Sequence, residues 1–336
     1  MIDGLRLAHK ANKLFKCEER YNVDAVWEEL SEFILPSQSG SFITQEESLG
    51  VKKTRRLFDS TAIQSNQDLA AAIHSTLTNP STKWSKIRYR DEELNNDDES
   101  IKWLEEANNR IHQIINESNF DVQISKNYQM YTALGTMALL HETKTDEKGE
   151  FDGFKFTALH LGEVAFSENS NGVVDTVYRR FKLTARQAIE RWGNRVAPEI
   201  IEAMEENPEK KFKFMHCIMP RDKKQVKVND RGQAPPNKRP YASVYLDMTS
   251  HEVVDENGFY EFPIYVVRWQ TAPNEVYGRG PGHTAIPEIR TLNRSRDILL
   301  ETLSKAINPP MITTMRNILG NLDLRPGQLT VVNPRS

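Results

Sequence analysis

Cysteine is nearly missing from this chain: Cys17 and Cys217 stand far apart, and neither has a cysteine neighbour. That excludes a disulfide framework and a zinc knuckle, both of which need thiols at short, paired spacings. Long apolar runs are missing too. The best candidate, Met137-Ala138-Leu139-Leu140, stops at His141, far short of the roughly 20 residues that a membrane span requires. No membrane partner is therefore expected. The amino terminus interleaves Lys10, Lys13 and Lys16 with Leu5, Leu7, Leu14 and Phe15 at helical spacing. It has no secretory apolar region, which points to synthesis in the cytoplasm. Excess positive charge is absent as well, since 44 Lys and Arg against 47 Asp and Glu leave a net charge of -3. A protein that coats nucleic acid by bulk electrostatics needs clustered cations. A conduit that lets DNA pass does not, because a tight grip would stall its cargo.

Chemistry is equally sparse. The eight histidines show no metal spacing: His141-Glu142 lacks a second histidine at the metalloprotease offset, and His251-Glu252 runs into Val253-Val254-Asp255. There is no G-x-S-x-G elbow, and neither cysteine pairs with a histidine by sequence. The carboxylates Asp91-Glu92-Glu93 and Asp97-Asp98-Glu99 precede a helical pattern and read as a solvated cap rather than a cation site. No catalytic residue, cofactor or metal ligand is expected.

What is present is a pattern in two halves, with length for about two ordinary domains. Through residue 145 the periodicity is helical. Asn22-Val23-Asp24 precedes one helix, Asp59 and Ser60 start another that stops at Asn79-Pro80, Asp97 and Asp98 cap a third, and Val122 to His141 forms a fourth. Trp84 to Tyr89 alternates like a strand. Residues 146–276 are β-rich, starting with Phe154 to Leu159 and ending with Ile264 to Trp269. Asn171-Gly172 and Asn257-Gly258 suit type I′ hairpin turns. Short helices interrupt at Ala185 to Trp192 and Pro198 to Glu206, and Asp222 to Pro240 reads as an exposed, basic, proline-bearing loop. The expected class is α+β. There is no internal repeat or low-complexity tail.

The richest segment is Tyr277-Gly278-Arg279-Gly280-Pro281-Gly282, followed by an unbroken helical pattern up to Asn308-Pro309-Pro310. Its glycines allow a sharp turn, with a positive φ expected at Gly280; Thr284 is the expected cap, and Pro287 falls in the first turn. Residues 285–307 make a rod roughly 35 Å long. One stripe holds Ala285, Ile289, Leu292, Leu299, Leu303 and Ala306, with Arg296 intruding. The opposite stripe holds Arg290, Arg294, Asp297, Glu301 and Lys305. A rod of this kind must bury its apolar side against other helices. The turn has the context of a phosphate loop, yet it matches neither the dinucleotide fingerprint nor a P-loop.

Taken in order, Arg56 to Ala62, Leu69 to Pro80 with Trp84, Tyr277 to Gly282, Ile289 with Thr291-Leu292-Asn293, and Ala306 to Pro310 resemble the head-to-tail connector, or portal, proteins of short-tailed phages. The resemblance covers nearly the whole chain. It implies a homo-oligomeric ring, usually of about twelve subunits, at one vertex of the capsid in the virion. Double-stranded DNA is packaged and ejected through such a ring. It also implies a wing (1–276), a turn with a descending stem helix (277–308) and the start of a small α/β clip (309–336). Terminase large subunit, tail adaptor, capsid and scaffold proteins are the implied partners. Arg290, Arg294, Arg296 and Lys305 become candidates for facing DNA, and Met311, Arg316, Asn317 and Arg325 candidates for clip contacts. Members of that family continue with a returning stem helix, a tunnel loop and a helical crown, whereas this chain ends at Ser336 inside the expected clip. Two rival readings are a non-ring virion adaptor or scaffold, and a nucleotide-binding enzyme using the Gly278–Gly282 turn.

Overall fold

The computed structural model describes residues 3–38, 42, 57–146, 149–222, 226, 234–314 and 325–332. Among these, helices and antiparallel sheets share one α+β body from which a single long helix departs. The helices are α1 Gly4–Phe15, α2 Glu18–Ile34, α3 Thr61–Leu77, α4 Asp98–Glu117, α5 Phe120–Leu134, α6 Ala185–Trp192, α7 Pro198–Glu206 and α8 Pro281–Ile307. A three-stranded sheet has the order β2 Phe151–Ala158, β1 Thr136–Thr145, β8 Ile264–Arg268. A five-stranded meander runs β3 Val164–Glu168, β4 Val174–Thr184, β5 Lys211–Pro220, β6 Tyr241–Asp247, β7 Val253–Phe259. The strands β9 Met311–Thr314 and β10 Leu329–Val332 form a separate parallel pair beyond α8.

Both sheets are covered on both faces. In the three-stranded sheet, Ala138, Leu140 and Ile264 pack under Trp27 and Leu30 of α2, while Met137, Leu139 and Phe156 pack against Ala70 of α3 and Ile124 and Tyr128 of α5. In the meander, Tyr178, Cys217 and Val244 face α1. Phe212 and Phe214 face α6 and α7, and Val177 and Ile218 join the α2 core.

This double cover explains one departure from the sequence reading. The helix expected over Val122 to His141 ends at Leu134, and Met137-Ala138-Leu139-Leu140 is instead the start of β1, buried at every position. A strand buried on both faces is uniformly apolar and loses the alternation that would mark it. The break falls at Gly135, whose φ of 74° caps α5 in the left-handed region. Trp84 to Tyr89 is not a strand either. It lies antiparallel along α4, with His112 bonding the Ser85 carbonyl and Asn108 accepting from the Ile87 N–H, so helix side chains take the place of a partner strand.

The hairpin expectations change as well. Asn171-Gly172 does lie between β3 and β4, but only the glycine has positive φ, which a type I′ turn does not permit. Asn257-Gly258 sits within β7, paired with Ser243 and Ala242. The positive φ near that hairpin belongs to His251. The short helices α6 and α7 fall where the sequence places them. The acidic run before α4 caps it, with Asp97 accepting from the Ser100 N–H at 3.0 Å. Among the described residues no group of three or more potential metal ligands converges, and no helix is long and apolar enough to cross a membrane.

Candidate functional site

The segment from Tyr277 to Gly282 crosses the end of α5 at backbone-to-backbone distance. A Cβ on Gly278 would stand 2.4 Å from the Gly135 carbonyl oxygen, one on Gly280 would stand 2.8 Å from Gly135 Cα, and one on Gly282 would stand 2.2 Å from the Ala133 carbonyl oxygen. Side chains have no room there. Gly280 itself has φ -109° and ψ -176°, so the expected positive φ is wrong. The glycines answer to close approach rather than to a left-handed turn.

The helix also starts earlier than expected. Gly280 is its cap, Pro281 occupies the first position, and His283 Nδ1 accepts from the Gly280 N–H at 3.2 Å. Pro281 suits this place because its missing N–H would have had no partner. Thr284 and Pro287 both lie inside α8. Burial and the nearby Arg279 hold the His283 imidazole down to a pKa of about 4, so it is neutral and able to accept.

Two N–H groups of the turn are spent on the body. Gly278 donates to Thr136 Oγ1 at 2.9 Å and Arg279 donates to the Gln270 carbonyl at 2.7 Å. Gly135 in turn accepts from the Trp269 N–H at 2.8 Å. A phosphate-binding loop needs such N–H groups pointing at open space. Here the N–H groups of Gly278 and Arg279 point into protein and that of Gly280 bonds to His283, which weighs against the nucleotide reading.

Sequence reasoning missed the residue that ties this junction together. Arg20 of α2 is fully buried, donating to Asp24 at 3.0 Å, the Val164 carbonyl at 2.6 Å, the Leu161 carbonyl at 2.8 Å and the Tyr277 hydroxyl at 3.1 Å. Its guanidinium carbon lies 5.1 Å from the Trp27 ring centroid and 5.3 Å from that of Tyr277. Burial opposes the charge, yet Tyr277 and Asp24 outweigh it and hold the pKa above its ordinary value. Trp27 meets the Tyr277 ring edge-on at 5.2 Å and donates to the Leu134 carbonyl at 3.1 Å. Nothing in the sequence distinguishes Arg20 from the solvated charges around it; a buried aromatic preceding the glycines was the only available signal.

Past the junction the apolar stripe divides. Ile286 and Ile289 pack on the α2 core, and a groove of about 340 Å³ opens between α3 and α8, lined by Ala62, Leu69, Ala285 and Leu292. Leu299, Leu303 and Ile307 are 54%, 49% and 76% exposed. The four candidate cations lie along the same helix but in different settings. Arg290 pairs with Glu29 of α2, and Arg296 pairs with Asp59 at 3.1 Å. Arg294 pairs with Asp297 at 2.5 Å and Lys305 with Glu301 at 2.7 Å, both within α8. Thus two of the cations reach the body and two do not. Met311 is exposed at the start of β9 and Arg325 is exposed before β10, while Arg316 and Asn317 lie outside the described residues.

Helix α8 thus has a start pinned to the body and an exposed distal half. The family described as bacteriophage head to tail connecting protein matches residues 8–336. The chain belongs to that family. It is 28% identical over 328 residues to the portal protein of Salmonella phage epsilon15, covering 94% of this chain and 56% of that protein. It is 24% identical over 321 residues to the probable portal protein of Bordetella phage BPP-1, again covering 94% of this chain and 56% of the relative. The connector chain thus spans about half the length of these curated relatives.

Proposed function

We propose that this chain supplies the ring-forming part of a phage portal, a structural channel at the capsid vertex through which double-stranded DNA is packaged and ejected. The observation that carries the reading is the state of α8. Beyond Arg296 the helix bonds only to itself among the described residues, yet it holds out a row of leucines that water does not favour. A second copy presents the same row and the same α3–α8 groove, and head-to-tail repetition of such contacts closes into a ring. Membership in the connector family and likeness to two portal proteins support the same conclusion.

In this reading residues 1–276 are the wing, 277–308 the turn and stem, and 309–336 the beginning of the clip, where Met311, Arg316, Asn317 and Arg325 meet the terminase large subunit and then the tail adaptor. Capsid and scaffold proteins surround the wing. Arg290, Arg294, Arg296 and Lys305 are the proposed DNA-facing cations. Arg294 and Lys305 are the freer pair, because their acids lie on the same helix. No step of catalysis is assigned to the chain.

Mass measurement on the protein expressed from its complete gene tests the proposal, together with electron micrographs of the same sample. Closed rings with a central hole are expected. A species that stays monomeric at every concentration, or that enters particles without forming rings, would favour the adaptor reading instead.

A further inference from the structure

We propose that Arg20 and Tyr277 are positioning residues that fix the direction in which α8 leaves the body, and that this direction sets how many subunits close the ring. The proposal rests on the ring reading above.

Arg20 is a planar fork whose nitrogens are all engaged, and its partners come from three separate places: Asp24 on its own helix, the Leu161 and Val164 carbonyls beside β3, and the Tyr277 hydroxyl. A fork of this kind fixes angles as well as distances. Tyr277 precedes Pro281 by one helical turn's worth of chain, so whatever holds its ring also holds the start of α8. The Tyr277 hydroxyl lies 3.5 Å from the Phe166 N–H, and the glycine crossing at Gly135 leaves the intervening backbone no slack.

Stability alone does not account for this arrangement. A buried ion network replaced by well-packed apolar side chains often costs nothing, so what the fork supplies is orientation at the first turn, which the Arg290–Glu29 and Arg296–Asp59 pairs continue further along α8. Orientation matters here because of leverage. With 27 residues, α8 is roughly 40 Å long, and a tilt of about 5° at its base displaces the far end by about 3.5 Å. A subunit that touches its neighbour through both the body and α8 closes a ring only when the two layers demand the same rotation. That rotation is about 30° in a ring of about twelve, and one added subunit changes it by only about 2°. A tilt smaller than a typical packing adjustment is enough to change the number.

Two variants test this in the protein expressed from its complete gene. Tyr277→Phe keeps the ring against Trp27 and removes only the hydroxyl that Arg20 reaches. Arg20→Lys keeps the charge and removes the fork. Subunit number is counted by native mass spectrometry and by classifying end-on views in electron micrographs, with circular dichroism and thermal melts confirming that each variant folds. The wild-type protein is expected to give rings of one subunit number. Both variants are expected to give folded protein whose rings are shifted by about one subunit or mixed in number. Rings of the unaltered wild-type number in folded Tyr277→Phe would overturn the proposal even if Arg20→Lys fails to fold. Wild-type protein that forms no closed ring would instead contradict the ring reading, and this inference would fall with it.

Discussion

At its first turn α8 touches the body through bare backbone, with glycines laid against Gly135 and Ala133 and the adjoining N–H groups donated to fixed acceptors. Within three turns of its other end, Leu299 and Leu303 are about half exposed, and the ion pair of that stretch closes within the helix. One helix therefore carries two kinds of information. The base is over-determined by the body of the same chain, and in the proposed ring the distal half is left for neighbours to complete. A chain that must fold first and assemble afterwards gains from keeping the two apart, because the folded subunit already knows where its rod points before any partner arrives.

The largest effect that could break this contrast is expected at Gly282. Replacement by valine puts a branched side chain where 2.2 Å separates an added Cβ from the Ala133 oxygen, and a loss of about 3 kcal/mol or more is expected. Urea unfolding measures it. A near-neutral result would show the base to be as loose as the tip.

Next comes acid. His283 is neutral in the folded chain with a pKa of about 4, below the roughly 6.5 of an unfolded histidine. In that window the unfolded chain binds the extra proton, so stability is complete above about pH 6.5 and falls as pH drops toward 4. After allowance for partial exposure the loss is on the order of 2 kcal/mol. His216, buried and also depressed, contributes with the same sign, so the informative quantity is the difference between wild type and His283→Gln. The variant is expected to show the shallower pH dependence. Equal slopes would mean that His283 does not hold the cap.

A smaller effect is expected at the limit of the body's hold. Arg296→Ala removes the pair between this largely exposed arginine and the buried Asp59 and is expected to cost about 1 kcal/mol. The smallest is expected at the tip, where Leu299→Ser with Leu303→Ser should change the stability of the dissociated subunit by less than about 0.5 kcal/mol while sharply reducing ring yield in gel filtration. Strong destabilisation of the lone subunit would show that this stretch is packed within its own chain.

The rod and the turn before it were legible because helical periodicity and glycine clusters are local signals. So were α6 and α7, the first of which is marked by the capping box at Thr184 and Gln187. What the sequence hid was non-local. Met137 to Leu140 fits a helix or a doubly covered strand equally well, and only its neighbours in space decide. Arg20 looks like any helical surface charge until Leu161, Val164 and Tyr277 close over it. The glycines of the turn announced a special backbone but not its kind: positive φ and close approach select the same residue, and here close approach applies. Asn257-Gly258 misled for a related reason, since Gly258 serves the tight contact with Pro236 and Tyr241 inside β7 rather than a hairpin turn.

The most direct test of the whole account is a three-dimensional electron-microscopy reconstruction of the assembled protein, read at residues 292–307. The account predicts a closed ring in which the distal halves of adjacent α8 helices bury Leu299, Leu303 and Ile307 against a neighbouring copy, while the crossing at Gly135 keeps the geometry seen in the single subunit. A ring in which those three side chains remain in solvent, or an assembly in which the Gly135 crossing has come apart, would contradict it.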